Sequence, residues 1–431
     1  MDLLILFFML LIGLVIIFLI IRNPFIGLYV FTVLLYLRPG IFHPALSSVH
    51  LTRLIALVTF ILLFFHQEIK EKIVLFEHHL SKLLLFFFGM MCLSVTTSIW
   101  ISNAVEVVGD FLKVILAYFL IINLATTVRK CRILVWAMIL SMVFIVVMSL
   151  KDYDGGRLFG SFRGALFGDP NDLSLGLIML IPFLFYGIFV KKGFVRKIVH
   201  IAVMGLFLGA FVLTKSRGGL FGIAGMFFAF WLISKQKIVT ALAVAIVILV
   251  GWNMAPQDYK DRMMSIQAAS VDDAAAISRL DAWKAGLNMM KDRVFGVGVG
   301  NFGEAFVIYR PEGAIDVPGM RRASHNMFVQ VGGEMGIPGL IVFLILIFST
   351  FKTFNKVSKA AQEMKDTNPA VREIELFAKA NIVGLCGYCA SGIFLSQAYN
   401  WVLYYLVAFA VLLDQFLSHL TIDQSALRTK K

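Results

Sequence analysis

The stretch IVHIAVMGLFLGAFVLTKSRGGLFGIAGMFFAFWLI, residues 198–233, decides the fold of this chain. It begins with the apolar run 198–214, and a second run, 218–234, follows after a very short turn. Each run approaches the ~20 apolar residues that a helix needs to cross a bilayer. The stretch therefore predicts two membrane-spanning helices joined by a tight turn.

The same character extends along the whole chain. Of its 431 residues, 60% are hydrophobic and 15% are charged. A soluble protein of this length has too little interior to bury so many apolar side chains. We therefore predict an all-α polytopic membrane protein with about 12 or 13 transmembrane helices and one long outward-facing loop. The predicted spans are approximately 3–21, 24–37, 52–66, 82–100, 111–127, 132–150, 172–190, 198–214, 218–234, 237–253, 326–351, 379–395 and 399–418. The first of these runs is interpreted as a retained helix rather than a signal peptide.

Lysine and arginine are distributed unevenly between the short loops on the two sides of these spans. One set of loops carries 22 of them and the short loops of the opposite set carry 8. Because positively charged loops stay in the cytoplasm, the richer set and the C-terminal tail are predicted to be cytoplasmic. The chain then divides into an N-terminal transmembrane bundle (1–253), an extracytoplasmic loop (254–325) and C-terminal transmembrane helices with a cytoplasmic tail (326–431).

The long loop has a balanced charge and a helical pattern. Its nine acidic residues match its nine basic residues, so it is not a general binding surface for polyanions. Ile277, Leu280, Trp283 and Leu287 recur at three- and four-residue intervals, which predicts an amphipathic helix lying on the membrane surface. The net charge of +13 lies mostly in short loops between spans, so it reflects topology and no nucleic-acid partner is predicted.

Two short motifs invite a redox or metal interpretation. CGYC at 386–389 lies inside an apolar run, where small residues favour helix packing, and four scattered cysteines are too few for a disulfide framework. DYD at 152–154 resembles a DxD metal motif but lacks a nucleotide-sugar domain around it. The sequence contains no Cys or His residues at zinc-ligand spacing, no P-loop and no catalytic Ser-His-Asp order. Neither a metal nor a cofactor is therefore predicted.

Four ionisable residues fall in separate loops that are all predicted to lie outside the cytoplasm: Arg163, Arg217, Arg279 and His325. Positive charge is disfavoured on that side, so arginines stationed there indicate an anionic ligand. Arg163 precedes a helix that Asp169, Asn171 or Asp172 could cap. Arg157 is an equally reachable alternative to Arg163.

Arg217 lies in SRGG, 216–219, at the start of a span. Gly218 and Gly219 let backbone amides approach a ligand there, and the helix dipole favours an anion. An arginine snorkelling beside a tight turn is the alternative interpretation. Arg279 lies one helical turn before Trp283, a spacing that is by itself typical of an ordinary solvated charge. The following GVGVGNF, 296–302, predicts a tight loop that returns the chain to the membrane.

SHNMF at 324–328 is the sharpest local signal. Ser324 is the predicted N-cap, with His325 and Asn326 in the first turn of the next span. A histidine at the bilayer edge can exchange protons near neutral pH and is a candidate for catalysis. Downstream, GGEMGIPG at 332–339 puts Glu334 among glycines, which indicates close helix contact or a buried hydrogen bond.

These stretches resemble the O-antigen ligase and polymerase superfamily of bacterial cell-envelope enzymes. The resemblance covers roughly 160–350, and NPFIGLYVFTVLLYLRP at 23–39 is weakly similar to the O-glycosylation ligases that accompany exosortase systems. The similar stretches are LTKSRGGLFG at 213–222, SRLDAWKAGLNMM followed by FGVGVGNF at 278–302, and SHNMFVQVGGEMGIPGLIVFL at 324–344.

The resemblance implies a metal-independent transferase of the bacterial cytoplasmic membrane with an outward-facing active site. It would move a glycan from polyprenyl diphosphate to an acceptor hydroxyl on lipid A-core, protein or another glycan, among membrane lipids and without a cofactor. Carried over, Arg217 and Arg279 would hold the diphosphate, and Arg163 matches less firmly. His325 would serve the acceptor or the leaving group. The secondary candidates are Gly218, Gly219, Asn326, Arg321 and Arg322.

Other functions stay open at this point. A polymerase would use the same donor with a second lipid-linked glycan as acceptor, and no short signature separates it from a ligase. A transporter of lipid-linked sugars would place charges near the midplane and show internal repeats, whereas these charges cluster at one face. A scaffold is the weakest alternative, because loop 352–379 and the tail are small and solvated.

Overall fold

The computed structural model of the chain describes residues 2–38, 51–66, 77–160, 167–190, 193–264, 274–314, 321–364 and 369–428. Within these ranges the regular secondary structure is entirely helical, as predicted. The helices are α1 (Asp2–Arg22), α2 (Pro24–Leu37), α3 (Leu51–Phe65), α4 (His79–Thr96), α5 (Ile101–Leu124), α6 (Val128–Lys151), α7 (Pro170–Val190), α8 (Phe194–Thr214), α9 (Arg217–Ile233), α10 (Lys237–Met254), α11 (Gln257–Met264), α12 (Ala274–Asp292), α13 (Phe302–Tyr309), α14 (Met327–Glu363), α15 (Pro369–Gly392) and α16 (Trp401–Arg428).

Seven of the described helices are long and apolar enough to cross a membrane, namely α4, α6, α7, α8, α10, α14 and the Trp401–Leu420 part of α16. Shorter apolar helices occur at Leu11–Arg22, Pro24–Leu37, Leu51–Phe65 and Arg217–Ile233. The prediction of an all-α polytopic membrane protein is confirmed, while the full count of 12 or 13 spans stays a prediction. Helix α10 buries none of its residues, as expected of a helix whose apolar surface faces lipid.

Helix α15 lies at the centre of the bundle, where it packs against α7, α9 and α14. Small residues make this close packing possible. A Cβ added to Gly222 of α9 would lie 1.8 Å from the Ser391 Oγ, and one added to Gly387 would lie 2.6 Å from Ile178 Cγ2. The glycine of the CGYC motif therefore serves helix packing, as the sequence indicated, and its flanking Cys386 and Cys389 are free thiols.

Helix α14 is broken at Gly336. Gly336 has φ 69° and ψ −174°, and Pro338 follows two residues later. Proline has no N–H to offer the Glu334 carbonyl, so this carbonyl needs a partner from outside the helix. The Gly298 N–H donates to it at 2.9 Å, and the Val297 N–H donates to the Gly333 carbonyl at 3.0 Å. The glycine-rich loop 296–301 thus supplies hydrogen-bond donors to the backbone carbonyls at the kink.

The Glu334 side chain ties this kink to its surroundings. It is buried, and its carboxylate accepts a hydrogen bond from the Tyr399 hydroxyl at 2.7 Å and one from the Phe302 N–H at 3.4 Å. The buried hydrogen bond predicted for GGEMGIPG is therefore confirmed. Its partners belong to α13 and to the connection between α15 and α16.

The helix predicted within the long loop is confirmed as α12, and a face rich in small residues packs against the protein. Leu280 and Leu287 are exposed, whereas Ala282, Ala285 and Met289 are fully buried against α13 and α14. The opposite face carries small residues because α12 approaches its neighbours closely there, and the placement of α12 on the membrane surface stays a prediction.

Candidate functional site

Arg217 is the first residue of α9. The Ser216 side chain caps the helix by accepting a hydrogen bond from the Gly219 N–H at 2.9 Å, and its hydroxyl donates to Asn171 Oδ1 at 2.7 Å. The half-buried Arg217 therefore sits where the helix dipole and the first backbone N–H groups favour an anion. Its neighbour Lys215 is committed elsewhere, since its ammonium pairs with Asp258 and donates to the Gly155 carbonyl.

Gly218 and Gly219 are buried and let α9 begin close to other elements. A Cβ on Gly218 would lie 3.2 Å from Phe394 Cβ, and one on Gly219 would lie 2.5 Å from Ser174 Oγ. Both glycines thus have a packing role in the described structure. Their predicted contribution to ligand binding stays a prediction.

His325 lies just before α14 rather than in its first turn. Asn326 is the N-cap, and its Oδ1 accepts hydrogen bonds from the Phe328 and Val329 N–H groups at 2.9 and 3.1 Å. The predicted N-cap, Ser324, instead bonds Ser396, with 2.8 Å between the two hydroxyl oxygens. The N-cap prediction was wrong because asparagine and serine cap equally well, and the tertiary partner of the serine decides between them.

The backbone of His325 adopts a left-handed conformation with φ 46°. Its N–H donates to Ser396 Oγ at 2.9 Å, which holds the residue in this uncommon conformation. The imidazole is exposed on the surface of the described structure.

The electrostatic surroundings keep His325 neutral. Partial desolvation lowers its pKa below the ordinary value of 6.5, and the positive charge of Arg279 lowers the pKa further. The Asp169 carboxylate opposes both effects. The structure therefore brings Arg279, Asp169 and His325 within electrostatic reach of one another, and the imidazole is available to accept a proton at neutral pH.

The connection between α15 and α16, residues 393–400, joins these elements. The Phe394 ring lies 4.3 Å from the Phe221 ring of α9 and 6.1 Å from the Trp283 ring, one helical turn after Arg279 on α12. Two residues later, Ser396 holds His325. Helices α9 and α12 and the segment that carries His325 thus meet at one short connection, which the sequence presented only as the gap between the predicted spans 379–395 and 399–418.

The remaining arginines have other partners. Arg321 pairs with Glu304 at 3.1 Å, and Arg322 lies 3.9 Å from Asp281. Arg157 donates to the Thr214 carbonyl at 3.1 Å and to Asn171 Oδ1 at 3.2 Å, which ties the end of α8 to the start of α7. Arg163 lies outside the described residues. A direct role of Arg321 or Arg322 in substrate binding is untested by these contacts.

The DYD motif forms a turn. Asp154 Oδ1 accepts a hydrogen bond from the Gly156 N–H at 2.9 Å, and the Tyr153 hydroxyl donates to the Gly156 carbonyl at 3.2 Å. In the part of the chain that the structure describes, no group of three or more His, Cys, Asp or Glu side chains could hold a metal ion.

Sequence reasoning missed Ser396 and Phe394 altogether. Neither has a local signal, because a serine or phenylalanine in an apolar stretch is unremarkable. Asp169 was considered only as a cap, and it does accept a hydrogen bond from the Asn171 N–H at 2.7 Å. Its proximity to His325 arises from the contact of distant loops.

Replacing Ser396 with alanine is expected to reduce the activity that depends on His325 by about tenfold, because misplacing a reacting group by ~1 Å can cost up to ~10² in rate. The protein should still fold, since the change removes a single oxygen atom from a half-buried residue in a connection between helices. Ser418→Ala is the matched control, because that hydroxyl donates only to a carbonyl of its own helix. Equal rates for both variants would exclude a positioning role for Ser396.

The comparisons with known proteins found a family match over part of the chain. Residues 202–344 match the family described as O-Antigen ligase. This region runs from α8 into α14 and includes Arg217, Arg279 and His325. No curated protein matches the chain. Residues 202–344 are therefore similar to an O-antigen ligase domain, within a chain whose described part has seven helices long and apolar enough to cross a membrane.

Proposed function

We propose that this protein transfers a glycan from a polyprenyl-diphosphate donor to an acceptor hydroxyl at the outer face of the bacterial cytoplasmic membrane. One arrangement supports the proposal: Arg279 is close enough to His325 to lower the pKa of its imidazole, and segment 393–400 contacts α12, His325 and the start of α9. Cationic groups next to a proton acceptor suit a reaction with an anionic leaving group and a hydroxyl nucleophile.

The arginines bind the diphosphate. Guanidinium groups form bidentate hydrogen bonds with phosphate oxygens and remain charged at any physiological pH. Negative charge grows on the bridging oxygen as the glycosidic bond breaks, so Arg217 and Arg279 stabilise the transition state more than the ground state. The donor is already activated by its diphosphate, and the reaction needs no nucleotide.

His325 acts as the general base. A ring nitrogen takes the proton from the acceptor hydroxyl as the hydroxyl oxygen forms a bond with the anomeric carbon. The bond from that carbon to the diphosphate oxygen breaks, and its electron pair leaves with the polyprenyl diphosphate. A single displacement inverts the anomeric configuration, so a product with retained configuration would contradict this mechanism.

Two related functions are alternatives to ligation. A polymerase would perform the same chemistry with a second lipid-linked glycan as acceptor, and the matching family domain is compatible with either. A transporter of lipid-linked sugars is less compatible with the candidate residues, because these gather at helix starts and loops at one end of the bundle rather than midway along broken helices.

Reconstituted protein and a donor labelled in its sugar would separate these functions. Ligation moves the label onto an added acceptor and releases polyprenyl diphosphate. Polymerisation produces longer lipid-linked glycans without an added acceptor. Transport moves intact donor across the bilayer with no bond broken, which would overturn the proposal. Restoration of a glycan ladder in a strain lacking its own ligase would supply the same test in cells.

The pH dependence of transfer should respond to the two charges near His325. The active form is the neutral imidazole, so the rate falls as the pH drops through the pKa of His325. Removing the positive charge in Arg279→Gln raises this pKa, and the acidic limb of the pH–rate profile moves to higher pH. Asp169→Asn removes the negative charge that raises the pKa of His325 and keeps a good N-cap. The pKa of His325 falls in this variant, and the acidic limb of the pH–rate profile moves to lower pH. Shifts of the same sign in both variants would contradict the assignment of His325 as base.

A further inference from the structure

A buried ion pair connects helix α12, which carries Arg279, to the segment before α14, which carries His325. Asp281 follows Arg279 by two residues on α12, and Arg322 precedes His325 by three residues. Arg322 Nη1 lies 3.9 Å from Asp281 Oδ2, and their side chains are only 7% and 9% exposed. The Arg322 guanidinium also lies over the Phe306 ring of α13, with its Cζ 5.2 Å from the ring centroid.

The burial of this pair makes it a sensitive restraint. A charge removed from water is tolerated only near an opposite charge or other polar partners, so the two groups hold each other in place. The flat Phe306 ring restricts the guanidinium on a further side. Arg322 is only 7% exposed and faces the Asp281 carboxylate, which repels an anion, so Arg322 is poorly suited to bind the diphosphate directly.

The neighbouring pair provides a natural contrast. Arg321 pairs with Glu304 of α13 at 3.1 Å, but the Arg321 side chain is 72% exposed. Exposed pairs contribute little and are screened by water and salt. Two adjacent arginines therefore form ion pairs in different environments, Arg321 with α13 and Arg322 with α12, and only the buried pair can act as a strong restraint.

We infer that Asp281 and Arg322 form a positioning pair that sets the placement of Arg279 relative to His325. This inference rests on the proposed function, in which these two residues hold the diphosphate and deprotonate the acceptor. Asp281 and Arg322 touch neither substrate. Their effect on the reaction passes through α12 and the segment before α14.

Steady-state kinetics of four variants test the pair. Asp281→Asn and Arg322→Met each leave a buried charge without its partner, and each is expected to lower kcat at least about tenfold with little change in the KM for the lipid-linked donor. The double variant Asp281→Leu/Arg322→Met replaces the pair with apolar side chains, which often substitute well for a buried pair, and should recover most of the lost kcat. Glu304→Gln removes the exposed pair and should stay within about twofold of wild type.

If a single variant fails to fold, the kinetics of the double variant still test the inference. A folded double variant with a low kcat and a raised donor KM would show that Arg322 binds the donor, and the inference would fail. Wild-type kcat in Asp281→Asn would overturn it as well.

A measurement without substrate separates this inference from the proposed function. Spin labels at the exposed positions of Lys284→Cys and Ala323→Cys report the distance between α12 and the segment before His325. The distribution should be narrow with the native pair and broad with Asp281→Asn. An unchanged distribution would refute the positioning role, whereas absence of glycan transfer by the wild type would refute the proposed function alone.

Discussion

Replacing His325 with asparagine is expected to lower kcat for glycan transfer by about 10²–10⁴-fold, the usual contribution of a general base. Asparagine is one of the few residues that adopts the left-handed conformation readily, so it suits the φ of 46° found here. It keeps hydrogen-bonding groups but cannot take up a proton. Because Arg217 and Arg279 are unchanged, the KM for the lipid-linked donor should remain close to that of the wild type.

Two controls separate loss of the base from loss of structure. Ala323→Ser changes an exposed residue of the same segment and should leave kcat unaltered. His325→Ala should regain part of its rate when imidazole is added, since a free base can then enter the space of the missing side chain. An asparagine variant with the wild-type kcat would exclude His325 as the base.

Replacing Gly336 with alanine is expected to cause the largest loss of stability among single-methyl additions in α14. Its φ of 69° and ψ of −174° lie in a region that only glycine occupies freely, and other residues are destabilised there by about 1–3 kcal/mol. The new Cβ would also lie 1.8 Å from the Val294 carbonyl oxygen. The backbone must therefore shift, which breaks the hydrogen bonds between loop 296–301 and the kink.

Thermal unfolding in detergent would measure this effect. Gly209→Ala is the matched control, because Gly209 is a helical glycine with nothing within 4 Å of an added Cβ. That change should be neutral or stabilise by up to ~1 kcal/mol. If Gly336→Ala melted at the same temperature as Gly209→Ala, the kink would not need its left-handed glycine.

The membrane class and most helix positions could be predicted because they depend on local composition. A run such as 198–214 is apolar whatever surrounds it, and the structure has α8 at Phe194–Thr214. Arg217 and His325 could be proposed because glycines or a capping residue beside a charged group at the start of a span are also local patterns. The inward face of α12 could not be predicted in this way, since Ala282 and Ala285 carry little hydrophobic signal although they are fully buried.

The sequence by itself determined an all-helical membrane protein, the turn that carries Arg217 and the polar start of α14. Only the tertiary structure decided which distant groups meet: Ser396 holds His325 from 71 residues away, and Gly298 supplies the hydrogen bond that the Glu334 carbonyl loses to Pro338. The physical reason is that hydropathy and helix propensity belong to each segment alone. The partner of a polar or charged group depends instead on how those segments pack, because each buried group must find its hydrogen bond or counter-charge within the folded chain.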